Sequence, residues 1–495
     1  MPLDPQRTPV LIGLGEVLER EEITSAVELA ASAARLAFAD APGLESRIQR
    51  LSVVGVSFSP VSKTPASEAA AALGLSGITC ETTTPGGNTP QWLMNRACQE
   101  IVQGELETTL ILGAEATRSM KLADPGSDFL TAAQDGMKGD ETAGDPVVGA
   151  SLHGMVVKPE FQAGLARPAD VYPMFESALA AESGAPPEVW RKRLGEMLSR
   201  ASQVAAKNPL AWFPEALSAD AIATPTPDNR ITAEPYTKRM NSFANVDMGS
   251  ALLVTTLAVA KELGLADQCV FPWAGASNAD VTPASRPELA GSPAIRAAAG
   301  ATFAAAGLGI DEMDFIDLYS CFPVAVEIGA SEIGLSIDDP RGLTLTGGMS
   351  FFGGPGNNYT SHGIAHAARR LREGGRFAYA SGNGGLLSKH SVGIYGNAPP
   401  EDGFVCPDTS AAQEAINAAG IELVTEVESE ATVSAGTVVY GRDGSVAAAP
   451  IIATLPDGRR VAAKAEEGML PDLAGQSLVG ERVRLSGASP PVYSR

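Results

Sequence analysis

Few side chains in this sequence can do acid–base or nucleophilic work at neutral pH, so each can be weighed by its neighbours. There are four histidines, His153, His362, His366 and His390, and five cysteines, Cys80, Cys98, Cys269, Cys321 and Cys406. His362 falls in the first turn of a helix-forming stretch after the glycine-rich run Gly354-Pro355-Gly356-Asn357-Asn358. A histidine near a helix N-terminus has its neutral form favoured, which suits a base or a hydrogen-bond donor; the plainer alternative is a capping or surface ring. His390 follows Asn383-Gly384-Gly385 and precedes a strand. It either borders a pocket or is a buried ring satisfied by backbone. His366, four residues after His362, has no third ligand in view and reads as helix packing. Cys321 precedes a helical run from Val324 to Ile333 whose N-terminus would stabilise a thiolate, although buried cysteines also serve as plain packing groups. Asn358 and Asn383 lie at glycine-rich turns, where they either donate to a carbonyl oxygen or only shape the turn. No Cys-x-x-Cys pair occurs, which argues against a disulfide framework and a zinc knuckle, so no metal site is expected.

The elements that must position these groups follow from hydrophobic period and turn residues. A strand (Val10 to Leu14), a helix (Ser25 to Ala39) and a strand (Leu51 to Phe58) open an α/β layer fold. A unit of glycine-rich turn, helix and strand then appears twice. Pro85-Gly86-Gly87-Asn88, a helical stretch to Val102, a stop at Gly104 and the strand Thr109 to Leu112 return as Gly354 to Asn358, a helix Ser361 to Arg372, Gly374 and the strand Arg376 to Ala380. Gly86, Asn88 and Gly104 match Gly356, Asn358 and Gly374 at a constant offset of 270 residues, which reads as an internal duplication. Between the halves, about Thr117 to Thr237 reads as a long insertion with a helix near Pro187 to Lys207. After Pro399-Pro400, a helix (Ser410 to Ala419) leads into β-rich runs, Ala431 to Tyr440, Ser445 to Leu455, Arg459 to Ala465 and Val479 to Leu485, expected to form a small antiparallel barrel.

Composition bounds the partners. A formal charge of -22 repels phosphate backbones, which excludes nucleic acid as an expected partner. No apolar run approaches the ~18 residues of a membrane span, and Met1 to Glu16 lacks a signal-peptide core, so a cytoplasmic protein off the membrane is expected.

Two duplicated halves, a long insertion in the first, Asn245-Val246-Asp247-Met248-Gly249-Ser250-Ala251 closing that half, and a glycine-rich turn before each buried helix together resemble thiolases over roughly residues 8–400. The branch is similar to sterol-carrier-protein-linked thiolases, and the added β domain resembles that of thiolase-like protein type 1. The resemblance implies a five-layered duplicated α/β fold: an N-terminal half over 1–265 with a loop domain at about 117–237, a C-terminal half over 266–400, and a β-barrel domain over 405–495. Thiolases use a nucleophilic cysteine at a helix N-terminus, a second cysteine as acid/base, and a histidine. Here the turn Pro85 to Asn88 holds no cysteine, Gly-His-Pro reads Gly353-Gly354-Pro355, Cys-x-Gly reads Ser381-Gly382-Asn383, and the remaining motif reads Tyr319-Ser320-Cys321-Phe322. The ordinary cysteine mechanism is therefore not expected.

What the resemblance leaves is two readings. One is an acyltransferase in lipid or acyl-CoA metabolism that acts on acetyl-CoA or 3-oxoacyl thioesters, with His362, His390 and Cys321 as candidate catalytic groups and Asn358, Asn383 and His153 as substrate or oxyanion contacts. The other is an inactive CoA or acyl-CoA binding protein whose β domain recruits a partner. In both, CoA arrives as ligand rather than as a covalent cofactor, with Ser242 at the pantetheine and Lys238 and Arg239 at the phosphates. A homodimer and a monomer both remain open.

Overall fold

A computed structural model of the chain describes residues 3–127, 144–149, 155–488 and 490–495. Its first helix, Ala26–Asp40, begins at a capping box: Ser25 Oγ accepts from the Glu28 N–H and the Glu28 carboxylate accepts from the Ser25 N–H. The buried face of this helix is almost all alanine, which lets it lie close on the strands Pro9–Leu18 and Asp247–Thr256. Glycine makes the approach closer still, since a Cβ on Gly15 would stand 1.8 Å from the Ala33 carbonyl oxygen.

The first sheet runs in the order Pro9–Leu18, Asp247–Thr256, Thr109–Ala116, Arg50–Val53, Thr79–Thr83, Val147–Val148. The second runs Phe271–Ala279, Lys389–Gly396, Phe377–Gly384, Phe315–Asp317. In each, the first two pairings are antiparallel and the third is parallel, so one half repeats the other. The helices Thr89–Gln103 and Tyr359–Glu373 fill the space between the sheets and are offset by 270 residues at both ends. Helix Pro293–Ala306 covers the second sheet as Ala26–Asp40 covers the first, completing five layers. No helix among the described residues is long and apolar enough to cross a membrane.

Local differences from the sequence expectation have local causes. The strand expected over Leu51 to Phe58 ends at Val53, because the Glu115 carboxylate draws in the N–H groups of Ser57 (2.8 Å) and Phe58 (3.1 Å) and the Ser59 hydroxyl (2.7 Å). Burial pushes the Glu115 carboxyl up to about 7 in spite of these donors. In the insertion, helices Pro168–Ser183 and Pro187–Ala205 pack around Phe175, Trp190 and Tyr236.

The helix Ser410–Ala418 packs on the C-terminal half, where Gln413 accepts from the Ala279 N–H and donates to its carbonyl, each at 2.7 Å. The barrel begins beyond it. Five strands, Ser429–Gly436, Ile451–Thr454, Arg460–Ala465, Val492–Ser494 and Arg482–Ser486, close into a ring around Val433, Val461, Leu485 and Tyr493. The expectation of an antiparallel barrel is corrected at one seam: Lys464–Ala465 pairs parallel with Val492–Tyr493. The run expected over Ala431 to Tyr440 also divides. Its end, Val439–Tyr440, leaves the ring, pairs with Val446–Ala448 and adds to the insertion's strand Ile231–Ala233, with Val439 opposite Ala233. The Glu234 N–H donates to the Val438 carbonyl (3.0 Å) and Thr437 Oγ1 donates to the Glu234 carbonyl (2.8 Å).

Candidate functional site

The glycine-rich turn before helix Thr89–Gln103 meets two segments of the other half. A Cβ on Gly87 would stand 2.1 Å from the Tyr319 hydroxyl and 2.5 Å from the Asn383 carbonyl oxygen, and one on Gly384 would stand 2.4 Å from Asn88 Oδ1. Only glycine permits this approach. The Thr360 hydroxyl donates to the Gly87 carbonyl (2.6 Å), and the Tyr319 N–H donates to Ser381 Oγ (3.1 Å). Among Tyr319, Ser381, Gly382, Asn383, Leu387 and His390 lies a cavity of about 20 Å³, room for one water.

Cys321 stands at this junction. Asn383 Nδ2 is 3.8 Å from its sulfur and donates to the Tyr172 hydroxyl at 3.0 Å, and the Tyr172 ring stacks on Phe322 at 4.5 Å. The thiolate expected there is corrected. Burial pushes the thiol up to about 12, and the Tyr172 hydrogen bond and local N–H groups offset only part of that. The helix Pro323–Glu332 does begin beside it, but the surroundings are aromatic. Iodoacetamide at neutral pH is accordingly expected to label the half-buried Cys80 and Cys406 well before Cys321, by peptide mapping over time. First labelling at Cys321 would remove this account.

His390 is buried and lines the small cavity. Its Nε2 lies 3.2 Å from the Leu387 carbonyl, 3.4 Å from Ser292 Oγ and 3.5 Å from the Asp280 carboxylate. Burial opposes ionisation of Asp280, but His390 and Arg286 outweigh it and hold the carboxyl below its usual range. An imidazole backed by a carboxylate can accept a proton and bear the charge.

His362 is elsewhere. It is fully buried on the face of helix Tyr359–Glu373 turned to the first sheet, with Nδ1 2.5 Å from Glu16 Oε1 and its ring edge-on to Phe352. His366 (3.6 Å) and Arg369 join the same carboxylate. Asn358 belongs to this group: its amide donates to the Gly113 carbonyl (2.9 Å), its Oδ1 accepts from Ser250 (3.0 Å), and its Nδ2 lies 3.4 Å from His362. The sequence expectation that His362 and Asn358 face the pocket with His390 is therefore corrected, because the one helical face that carries residues 362, 366 and 369 packs on strand Pro9–Leu18. His153 lies outside the described residues.

Ser242 is close to the junction. Its N–H donates to the Cys321 carbonyl (3.1 Å), and its hydroxyl fills the place where a Cβ on Gly354 would stand. Lys238 and Arg239 are exposed, and the Arg239 guanidinium donates to the Ala221 carbonyl (2.7 Å). On helix Pro187–Ala205, Arg191 is held by Glu234 (2.7 Å) and Arg193 lies over Trp190 (4.5 Å). Sequence reasoning passed over Tyr172, Asp280 and Lys389. Lys389 had a readable signal, a charge opening the apolar strand Lys389–Gly396; Asp280, one residue past strand Phe271–Ala279, and Tyr172 had none. Among the described residues no group of three His, Cys, Asp or Glu side chains is placed to hold a metal ion.

No family model and no curated protein matches the chain. A solved structure does. The crystal structure of a monomeric SCP2-thiolase like protein type 1 from Mycobacterium smegmatis is similar over 99% of this chain and 100% of that chain, with 29% sequence identity and a TM-score of 0.84. The chain has a thiolase-like fold. The likeness spans the C-terminal barrel as well, so the thiolase-like core and its extension are shared as one unit. An Ltp2-ChsH2(DUF35) aldolase is similar over 79% of this thiolase-like chain and 97% of that chain, at 18% identity and a TM-score of 0.62, a likeness of fold alone.

Proposed function

We propose that the protein is a thiolase-like acyltransferase that acts on CoA thioesters of the acetyl or 3-oxoacyl type in cytoplasmic acyl-CoA metabolism, as a monomer and without a cysteine nucleophile. The observation that carries this reading is the meeting of Tyr319, Asn383 and His390 at one enclosed cavity with Asp280 behind the histidine. His390 would take the proton of the acceptor as it attacks the thioester carbonyl. The Asn383 amide and the Tyr319 hydroxyl would donate to the oxygen as it gains charge. The C–S bond then breaks, the acyl group goes directly to the acceptor, and CoA leaves as a thiolate that His390 reprotonates. Ser242 would meet the pantetheine, and Lys238 and Arg239 the phosphates.

A second reading, a CoA or acyl-CoA binding protein whose barrel recruits a partner, is favoured by the small volume of the cavity, about 20 Å³. Isothermal titration with CoA and acetyl-CoA, with and without Lys238→Ala and Arg239→Ala, tests what the two readings share. Binding is expected, weakened by the substitutions in a salt-dependent way. A panel of acyl acceptors then separates them: turnover supports transfer, and binding alone supports the second. No binding at millimolar ligand would sink both.

A further inference from the structure

A cavity of about 720 Å³ is built partly by the C-terminal extension. Met155, Val157, Val281 and the run Gly420 to Leu423, which leads from the helix Ser410–Ala418 to the barrel, line it, and Lys389 lies in the wall. Lys389 is 6% exposed. Its amine donates to the Pro85 carbonyl at 2.8 Å, and no carboxylate among the described residues pairs with it. Of the two acids on the lining, Asp280 is engaged by Ser292 and His390, and Glu422 faces Arg459 at 3.6 Å. Successive residues of a strand point to opposite faces, so Lys389 serves this cavity while His390 serves the small one. A Cβ on Gly86 would stand 3.2 Å from Nζ, so glycine leaves the amine room to approach the turn.

A buried amine with one carbonyl acceptor and no paired carboxylate, on a lining that mixes apolar with polar side chains, is in surroundings that favour a neutral nucleophile. We propose that this cavity binds an apolar ketone or aldehyde and that Lys389 forms a Schiff base with it. The amine nitrogen bonds to the carbonyl carbon, its two hydrogens leave with the carbonyl oxygen as water, and the imine takes up a proton; nothing is oxidised or reduced. Burial also lowers the amine's affinity for a proton, which adds to the population able to attack. This site adjoins that of the transfer reading, sharing Asp280 and the turn at Pro85, but the proposal does not rest on that reading and its test uses no CoA.

The probe is a linear β-diketone with an alkyl tail, which condenses with a neutral amine to a conjugated enaminone that absorbs in the near ultraviolet. The full-length protein is expected to gain one adduct of the diketone's mass less one water, and peptide mapping is expected to find it on Lys389. Lys389→Met should abolish it. Gly420→Leu, whose side chain would grow from a Cβ 3.5 Å from Val281 into the cavity, should slow it about tenfold while Lys389 stays in place. An adduct on other lysines only, or none on the wild-type protein, overturns the proposal, and that result does not depend on either variant folding.

Discussion

Glutamine in place of Glu16 is expected to destabilise the protein by about 3–5 kcal/mol at pH 7, because it leaves Arg369 and the two histidines around a buried site without their shared carboxylate. The same group predicts how stability falls in acid. Burial alone would raise the Glu16 carboxyl, but His366, His362 and Arg369 together bring it from 4.5 down to about 2. A carboxyl lower in the folded state than in the unfolded one stabilises the fold above its unfolded value and loses that contribution as pH falls toward the folded value. The contribution, about 3 kcal/mol, is therefore complete above about pH 4.5 and gone near pH 2. Urea unfolding of the wild type and Glu16→Gln at a series of pH values checks both statements. A stability difference that stays constant from pH 6 to pH 2.5 would show that Glu16 is not the titrating group.

The second large effect concerns turnover. If His390 is the base, His390→Gln lowers kcat about 10²–10⁴-fold and leaves KM for the thioester nearly unchanged, since the proton moves only in the transition state. His362→Gln, on the other side of the central helices, lowers the unfolding midpoint and spares kcat. Equal losses of kcat in the two variants would end the assignment of the base to His390.

The two halves were legible because duplication repeats every local signal. The turn before each central helix, the glycine that ends it and the strand that follows recur at one offset, and the two helices keep that offset at both ends. Cys321, Asn383 and Ser242, candidates from the sequence, lie at one junction. The face on which a helix residue points was not legible: His362 sits in the first turn after a glycine-rich loop, yet the turn's outward direction is set by which sheet the helix packs on. The raised titration of Cys321 was hidden for a related reason, because the burial that causes it is built by segments distant in sequence, among them the insertion's Tyr172. The parallel barrel seam and the pairing of Val439 with Ala233 join segments far apart in the chain, and such pairings leave no periodicity to read.

That last pairing ties the barrel to the insertion by a hydrogen-bonded hinge-pin rather than by the linker alone. Val439–Tyr440 departs from the barrel's ring to complete a sheet with Ile231–Ala233 and Tyr236–Thr237, and Lys238 and Arg239 follow in the next two positions. Cutting the chain before the barrel would bare an open strand edge just upstream of the cations that the CoA readings rely on. A protein that grips the barrel and a nucleotide that engages those cations would then pull on the same short ribbon, so each could report the presence of the other across the molecule.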